Sequence, residues 1–349
     1  MRYKNIGPMS TPDEIKAEIP LSQTALAIKA ERDSDIRDVF ENNSAKKILI
    51  IGPCSADKED PVMKYMSRLA AINEKVKERL ILIPRVYTNK PRTTGEGYKG
   101  MLHQPDTNEK PDMHKGIYSI RRLHKRVVEE TGLTAADEML YPENCRYLDD
   151  VLAYHAVGAR SVENQGHRLV ASAITEPVGM KNPTSGYINV MLNSINAAQM
   201  PHRFIFERNE VQTEGNPLAH AILRGAINQY GQNIPNYHYE DIIKLAKMYA
   251  EAKLKNPAVI VDCNHANSMK QWQEQPRIAK EVMHSAQKSE IINKIFKGLM
   301  IESYLMDGSQ SETGTNYGQS ITDACLGWKK TERLILEIAD MVDKMSSSK

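Results

Sequence analysis

The chain has 349 residues, 26% of them charged, with a formal net charge of +2, so no bulk field recruits nucleic acid or a membrane surface. Four cysteines in this length do not build a disulfide framework, and the length suits one large α/β barrel with extensions or two smaller domains. The polar Met-Arg-Tyr-Lys-Asn start and the lack of any apolar run of membrane-spanning length point to a cytoplasmic protein with reduced thiols.

Residues 1–45 are polar and read as an extension, with a loop at Pro20 and a short helix over residues 21–32. From residue 46 to residue 349, strands and helices alternate. Candidate strands cover residues 47–51, 80–86, 134–138, 159–162, 177–181, 203–206, 258–262 and 298–302. Pro61 suits a helix start, with Val62, Met66, Leu69 and Val76 on one face. Ile117, Ile120, Leu123 and Val127 mark a second helix that stops at Gly132, and Ile242, Leu245, Ala246 and Tyr249 a third. Arg121, Arg122, Lys125 and Arg126 fall opposite the apolar face of the second helix and are expected to be solvated. This alternation predicts a (β/α)8 barrel of the α/β class with an N-terminal extension, rather than a doubly wound sheet. Two long polar stretches, 93–111 and 303–319, follow strand ends and are expected over one face.

Charged and metal-binding residues gather where the apolar runs end. Cys54, His265, Glu302 and Asp323 offer a thiolate, an imidazole and two carboxylates, a mixed set that suits manganese, iron, cobalt or zinc better than magnesium. Each has a plainer reading. Cys54 could be a small buried apolar residue, His265 a helix cap, Glu302 the partner of a lysine, and Asp323 the third residue of a Ser320-x-x-Asp323 capping box. The position of three of them at strand ends favours ligation, because a barrel carries its reacting groups there. Cys325, close behind Asp323, is expected near Cys54, where loss of metal would permit a disulfide. A second set is cationic: Arg85, Lys90, Arg92, Arg160, Lys181 and Arg224. Burying so many cations without anions is costly, so they are expected to bind phosphate and carboxylate groups.

The motifs that hold these residues resemble a known family. Gly52-Pro-Cys-Ser55, Arg85-Val-Tyr87, Lys90-Pro-Arg-Thr-Thr94, Gly158-Ala-Arg160, Pro177-Val-Gly-Met-Lys-Asn182, Leu223-Arg-Gly225, His265-Ala-Asn-Ser268 and Ser320-Ile-Thr-Asp-Ala-Cys325 are similar to those of the microbial type I 3-deoxy-D-arabino-heptulosonate 7-phosphate (DAHP) synthases. The resemblance implies a (β/α)8 barrel, a homodimer or homotetramer, and the first step of the shikimate route to aromatic amino acids. That step condenses phosphoenolpyruvate with erythrose 4-phosphate on one divalent metal, manganese first among the candidates. It also implies that Cys54, His265, Glu302 and Asp323 hold the metal. Arg160, Lys181 and Arg224 would take the phosphate of phosphoenolpyruvate, and Arg85 with Lys181 its carboxylate. Arg92 and Thr93 would bind the erythrose phosphate, Lys90 would donate a proton, and Glu138 would orient water or phosphoenolpyruvate.

The chain departs from the pattern in places. Ala56-Asp57-Lys58 follows the Gly-Pro-Cys-Ser run where a histidine is common, which would alter the surroundings of the metal. The 204–224 stretch looks short for the hairpin that forms an inhibitor pocket in relatives, and Ile6-Gly7 replaces acidic residues in the arm. Cys145 stands where proline is common. Weak or absent inhibition by phenylalanine, tyrosine or tryptophan is therefore expected. The alternatives are a related barrel synthase with another sugar acceptor, a non-catalytic phosphometabolite sensor, and a zinc hydrolase. Lys90-Pro-Arg-Thr-Thr94 favours erythrose 4-phosphate, and a sensor would not need four metal donors.

Overall fold

In the computed structural model, which describes residues 1–92 and 94–347, the barrel begins where the sequence first becomes a short apolar run. Lys47–Gly52 forms β1 with every residue buried. Then come β2 (Leu80–Pro84), β3 (Ala135–Glu138), β4 (Leu152–Val157), β5 (Val178–Lys181), the hairpin β6 (Arg203–Phe206) and β7 (Asn209–Gln212), β8 (His220–Leu223), the short pair β9 (Ala226–Ile227) and β10 (Asn233–Ile234), β11 (Val259–Asp262) and β12 (Phe296–Glu302). The helices are α1 (Pro12–Glu18), α2 (Gln23–Phe40), α3 (Glu59–Val76), α4 (Met113–Thr131), α5 (Gln165–Ala171), α6 (Ile188–Gln199), α7 (Tyr239–Ala252), α8 (Gln275–Lys288), α9 (Glu290–Ile295) and α10 (Trp328–Ser347). Eight strands form one parallel sheet in the order β2-β1-β12-β11-β8-β5-β4-β3. A parallel bridge between Arg85 and Ala136 joins its two edges, with Val86 N donating to Ala136 O at 3.0 Å, so the sheet closes. This is the expected (β/α)8 barrel.

Period-2 alternation sorts the strand residues between two apolar layers. Leu49 and Ile51 of β1 pack outward against the helices, whereas Ile48 and Ile50 pack inward with Ile81, Ile83, Tyr154, Ile222, Ile260 and Met300. One step further along six of the eight strands, the inward series reaches Arg85, Glu138, Lys181, Arg224, Asp262 and Glu302. The apolar barrel core thus passes into a layer of charge at the C-terminal mouth.

The opposite mouth is closed by α2, which runs 18 residues, well past the short helix expected over 21–32. Its last turn sends Ile36, Val39 and Phe40 into the barrel interior, where the Phe40 ring lies 4.4 Å from that of His220.

Two expected strands are corrected. The fourth is β4 (Leu152–Val157), and residues 159–162 form the turn after it. The sixth barrel strand is β8 (His220–Leu223), while Arg203–Phe206 is one arm of a hairpin outside the barrel. Both missed strands carry a histidine that breaks the apolar run. His155 is fully buried, and burial lowers its pKa. His220 contacts Tyr154 Oη and Leu218 O, each at 2.8 Å, and burial pushes its pKa down to about 3. A neutral imidazole with two partners belongs in a core.

Arg121 is a third correction. It is 1% exposed, not solvated, and its guanidinium grips Asp150 at 2.7 and 2.9 Å while donating to Ile19 O and Tyr147 O. It ties α4 to the N-terminal extension and to the chain before β4. The capping-box reading of Asp323 also fails, because α10 starts at Trp328. Gly132 ends α4 in the left-handed conformation (φ 68°), as its position suggested. All four cysteines are free thiols. Among the described residues, no helix is long and apolar enough to cross a membrane.

Phe40 is fully buried at the closed end, so Phe40→Ala should remove about 3–5 kcal/mol of stability. Denaturant unfolding measures this, and a loss below about 1 kcal/mol would show that the plug contributes little.

Candidate active site

The charged layer opens into a cavity of about 360 Å³ at the C-terminal mouth. Its wall includes Cys54, Arg85, Lys90, Arg92, Glu138, Arg160, Lys181, Arg224, His265 and Asp323. Of the residues expected at a site, Glu302 lies just beneath, fully buried, and Thr93 falls outside the described residues.

Ligand atoms of Cys54, Glu302 and Asp323 lie within 4.8 Å of one another, a group that could hold a metal ion. His265 borders it, with Nε2 3.9 Å from Glu302 Oε1. Three parts of the chain converge here. Cys54 follows β1, Glu302 ends β12, and Asp323 comes from the loop that returns to the barrel through the bridge between Ser303 and Leu326. His265 follows β11 with φ 53°, a backbone turn that points the segment back over the mouth.

Cations hold the carboxylates ionised. Arg85 Nη2 lies 2.8 Å from Glu302 Oε1 and donates to Cys54 O, while its Nε donates to Pro53 O and its plane stacks 3.7 Å over the Tyr87 ring. Burial alone would raise the Glu302 carboxyl, but Arg85, then His265, hold it below the ordinary range. Asp323 accepts from Lys90 at 3.0 Å and Lys270 at 3.1 Å. Burial opposes its ionisation, and Lys90, His265 and Lys270 overcome that, leaving it far below the usual carboxylate range. Lys90 Nζ also lies 2.9 Å from Cys54 Sγ. Burial would lower the pKa of this lysine, but Cys54, Asp323 and Glu302 raise it well above the ordinary value. Burial, then Glu302, push the Cys54 thiol up, with Lys90 opposing.

Further cations line the cavity. Lys181 Nζ is 3.6 Å from Asp262 Oδ2, and Arg224 Nη1 is buried with no hydrogen-bond partner. Burial lowers the Arg224 pKa. An unpaired buried guanidinium nitrogen beside a cavity is costly unless an anion meets it. Arg160 lines the same cavity, three residues past β4. Glu138 stands at the end of β3, where Gly158 leaves it room: a Cβ there would lie 2.4 Å from Glu138 Oε1. Arg92 is engaged, its Nη2 3.1 Å from Glu312 Oε1.

Three contributors were not singled out from the sequence. Asp262 lies with Oδ2 2.8 Å from His265 Nδ1, near in distance but not aligned as a hydrogen bond. Burial would raise its carboxyl, and His265, Lys181 and Arg85 hold it far below the usual range. The signal was present, since Asp262 ends an apolar strand as Glu302 does. Lys270 and Glu312 sit in polar loops, where a single charge carries no signal.

The fold and the mouth define a barrel enzyme that handles anionic substrates beside a group that could hold a metal ion. The sequence model of the DAHP synthetase I family matches residues 18–336, and the chain belongs to that family. It is 37% identical over 339 residues to a phospho-2-dehydro-3-deoxyheptonate aldolase, Tyr-sensitive, of Escherichia coli K12, covering 95% of this chain and 92% of that protein. It is 35% identical to a phospho-2-dehydro-3-deoxyheptonate aldolase of Haemophilus influenzae, over 98% of this chain and 93% of the relative. A solved phospho-2-dehydro-3-deoxyheptonate aldolase from Francisella tularensis SCHU S4 superposes with a TM-score of 0.92 at 28% identity, covering 99% of each chain.

Because its native pKa is depressed, the Asp262 carboxylate contributes stability above the ordinary aspartate value of about 3.9, and that contribution is lost as pH falls below it. Asp262→Asn should cost about 3 kcal/mol at neutral pH and flatten the acid limb of stability. Urea unfolding at pH 7 and pH 3 checks both, and parallel pH curves for the two proteins would contradict this role.

Proposed function

We propose that this chain condenses phosphoenolpyruvate with erythrose 4-phosphate, releasing phosphate and forming DAHP, the first step of aromatic amino acid biosynthesis. The observation that carries this reading is one cavity lined both by Cys54, Asp323 and His265 and by Arg160, Lys181 and Arg224. The similarity to DAHP synthases over nearly the whole chain supports it.

The thiol, imidazole and carboxylates of Cys54, His265, Glu302 and Asp323 suit manganese, iron, cobalt or zinc. A cation bound there would supply Lewis acidity to the acceptor's aldehyde oxygen. In this reading Arg160, Lys181 and Arg224 take the phosphate of phosphoenolpyruvate, with the unpartnered Arg224 Nη1 as one donor. Lys181 also reaches its carboxylate, together with Arg85. Arg85 has a second use, since its internal contacts keep Glu302 and the Cys54 backbone in place. The cations hold two mutually repelling anions together and fix the approach of the enol carbon to the aldehyde. Lys90, held protonated by Cys54 and Asp323, gives its proton to the oxygen that becomes a hydroxyl. Glu138 orients the water that adds to the neighbouring carbon before phosphate leaves. Arg92, with Thr93, binds the phosphate of the acceptor.

Weak inhibition by aromatic amino acids is also proposed, on narrower grounds than the sequence suggested. The hairpin β6–β7 is formed, and it borders a cavity of about 820 Å³ lined by Phe204, Phe206, Val211 and Ile174. The remaining support is the arm, where exposed Ile6 and its neighbour Gly7 supply no carboxylate for an amino-acid ammonium group. Millimolar phenylalanine, tyrosine or tryptophan should leave turnover nearly unchanged, and strong inhibition by any one would overturn this.

The main test is phosphate release. Release is expected only with both phosphoenolpyruvate and erythrose 4-phosphate, and it should vanish on chelation and return with manganese. Release from phosphoenolpyruvate alone would point to a hydrolase instead.

A further inference from the structure

The loop after β12 reaches past β1 to the loop after β2 and brings Glu312 there. There its Oε1 accepts from Arg92 Nη2 at 3.1 Å and from the backbone N–H of Tyr98 at 2.7 Å. Arg92 Nε is held by Tyr98 O at 2.8 Å, so guanidinium, peptide and carboxylate form one closed cluster. Gly97 makes room for it. Its φ is 89°, and a Cβ there would lie 2.7 Å from Glu312 Oε1 and 3.2 Å from Arg92 Cζ. A carboxylate oxygen that takes one guanidinium N–H and one backbone N–H makes the contacts that a phosphate oxygen would make.

We propose that Glu312 is a built-in surrogate for the phosphate of the acceptor substrate, and that the incoming phosphorylated aldose must displace it from Arg92. This rests on the assignment of Arg92 to the acceptor's phosphate. Glu312 then sets the affinity for the acceptor, because its carboxylate meets Arg92 and Tyr98 rather than the cations assigned to phosphoenolpyruvate. The pair is half-open, with side chains 25% and 46% exposed, so solvent screens it and a dianion can outcompete a single carboxylate.

Steady-state kinetics on Glu312→Gln and Glu312→Ala give the test. An exposed pair of this kind corresponds to a change of roughly two- to five-fold. KM for erythrose 4-phosphate should fall by that factor in both variants, while KM for phosphoenolpyruvate and the apparent affinity for manganese stay at the wild-type values. Raising ionic strength should narrow the gap between wild type and variants. An unchanged or higher KM for erythrose 4-phosphate, in a wild-type background that turns over both substrates, would overturn the role of Glu312 and leave the proposed reaction standing. Absence of turnover by the wild-type protein would instead bring down the reaction itself.

Discussion

The mouth of this barrel depends on the buried ion pair between Arg85 and Glu302. Both side chains are almost wholly out of water, 2% and 0% exposed, so each would be ruinous alone. Together they hold three things at once. Arg85 fixes Glu302, draws in the carbonyls of Pro53 and Cys54, and sits over the Tyr87 ring. Gly52 allows this closeness, since a Cβ there would lie 2.4 Å from Arg85 O. One guanidinium therefore sets the separation of two candidate metal donors that lie far apart in sequence.

The same economy runs around the barrel. Ile48, Ile50, Ile83, Ile222, Ile260 and Met300 fill the interior, and α2 seals its far end with Phe40. A dry apolar floor below the charged layer strengthens each electrostatic contact within it. It also makes each charge in that layer dependent on a partner. Lys181 has Asp262, Lys90 has Cys54 and Asp323, and Glu302 has Arg85. Arg224 differs from these, with one buried nitrogen left without a partner beside the cavity. That imbalance is what an anionic substrate would correct.

The loops add a second level of control. The segments after β2 and β12 meet above the mouth through Arg92, Tyr98 and Glu312, while Lys270 reaches over from the turn after His265 to Asp323. These contacts are more exposed than the layer below and correspondingly weaker. A rigid floor with a yielding rim suits a site that must admit two separate anions and then hold them in register.

Much of this was legible in the chain itself. Short apolar runs leading into Cys54, Arg85, Lys181, Asp262 and Glu302 marked most of the strands and the face on which they open, because a parallel barrel exposes its reacting groups only there. The motifs around those residues carried the family. The strands Leu152–Val157 and His220–Leu223 were hidden, since a buried histidine reads as polar until its partners are known. Arg121 read as solvated for the same reason: only the fold brings Asp150 and the Ile19 carbonyl to it. Local sequence thus determined most of the strands with reactive ends and which chemistry those ends carry. Tertiary structure alone decided which charges neutralise one another, which guanidinium stays unpaired, and that Glu312 rests on Arg92, because pairing across a barrel depends on distances that spacing along the chain does not encode.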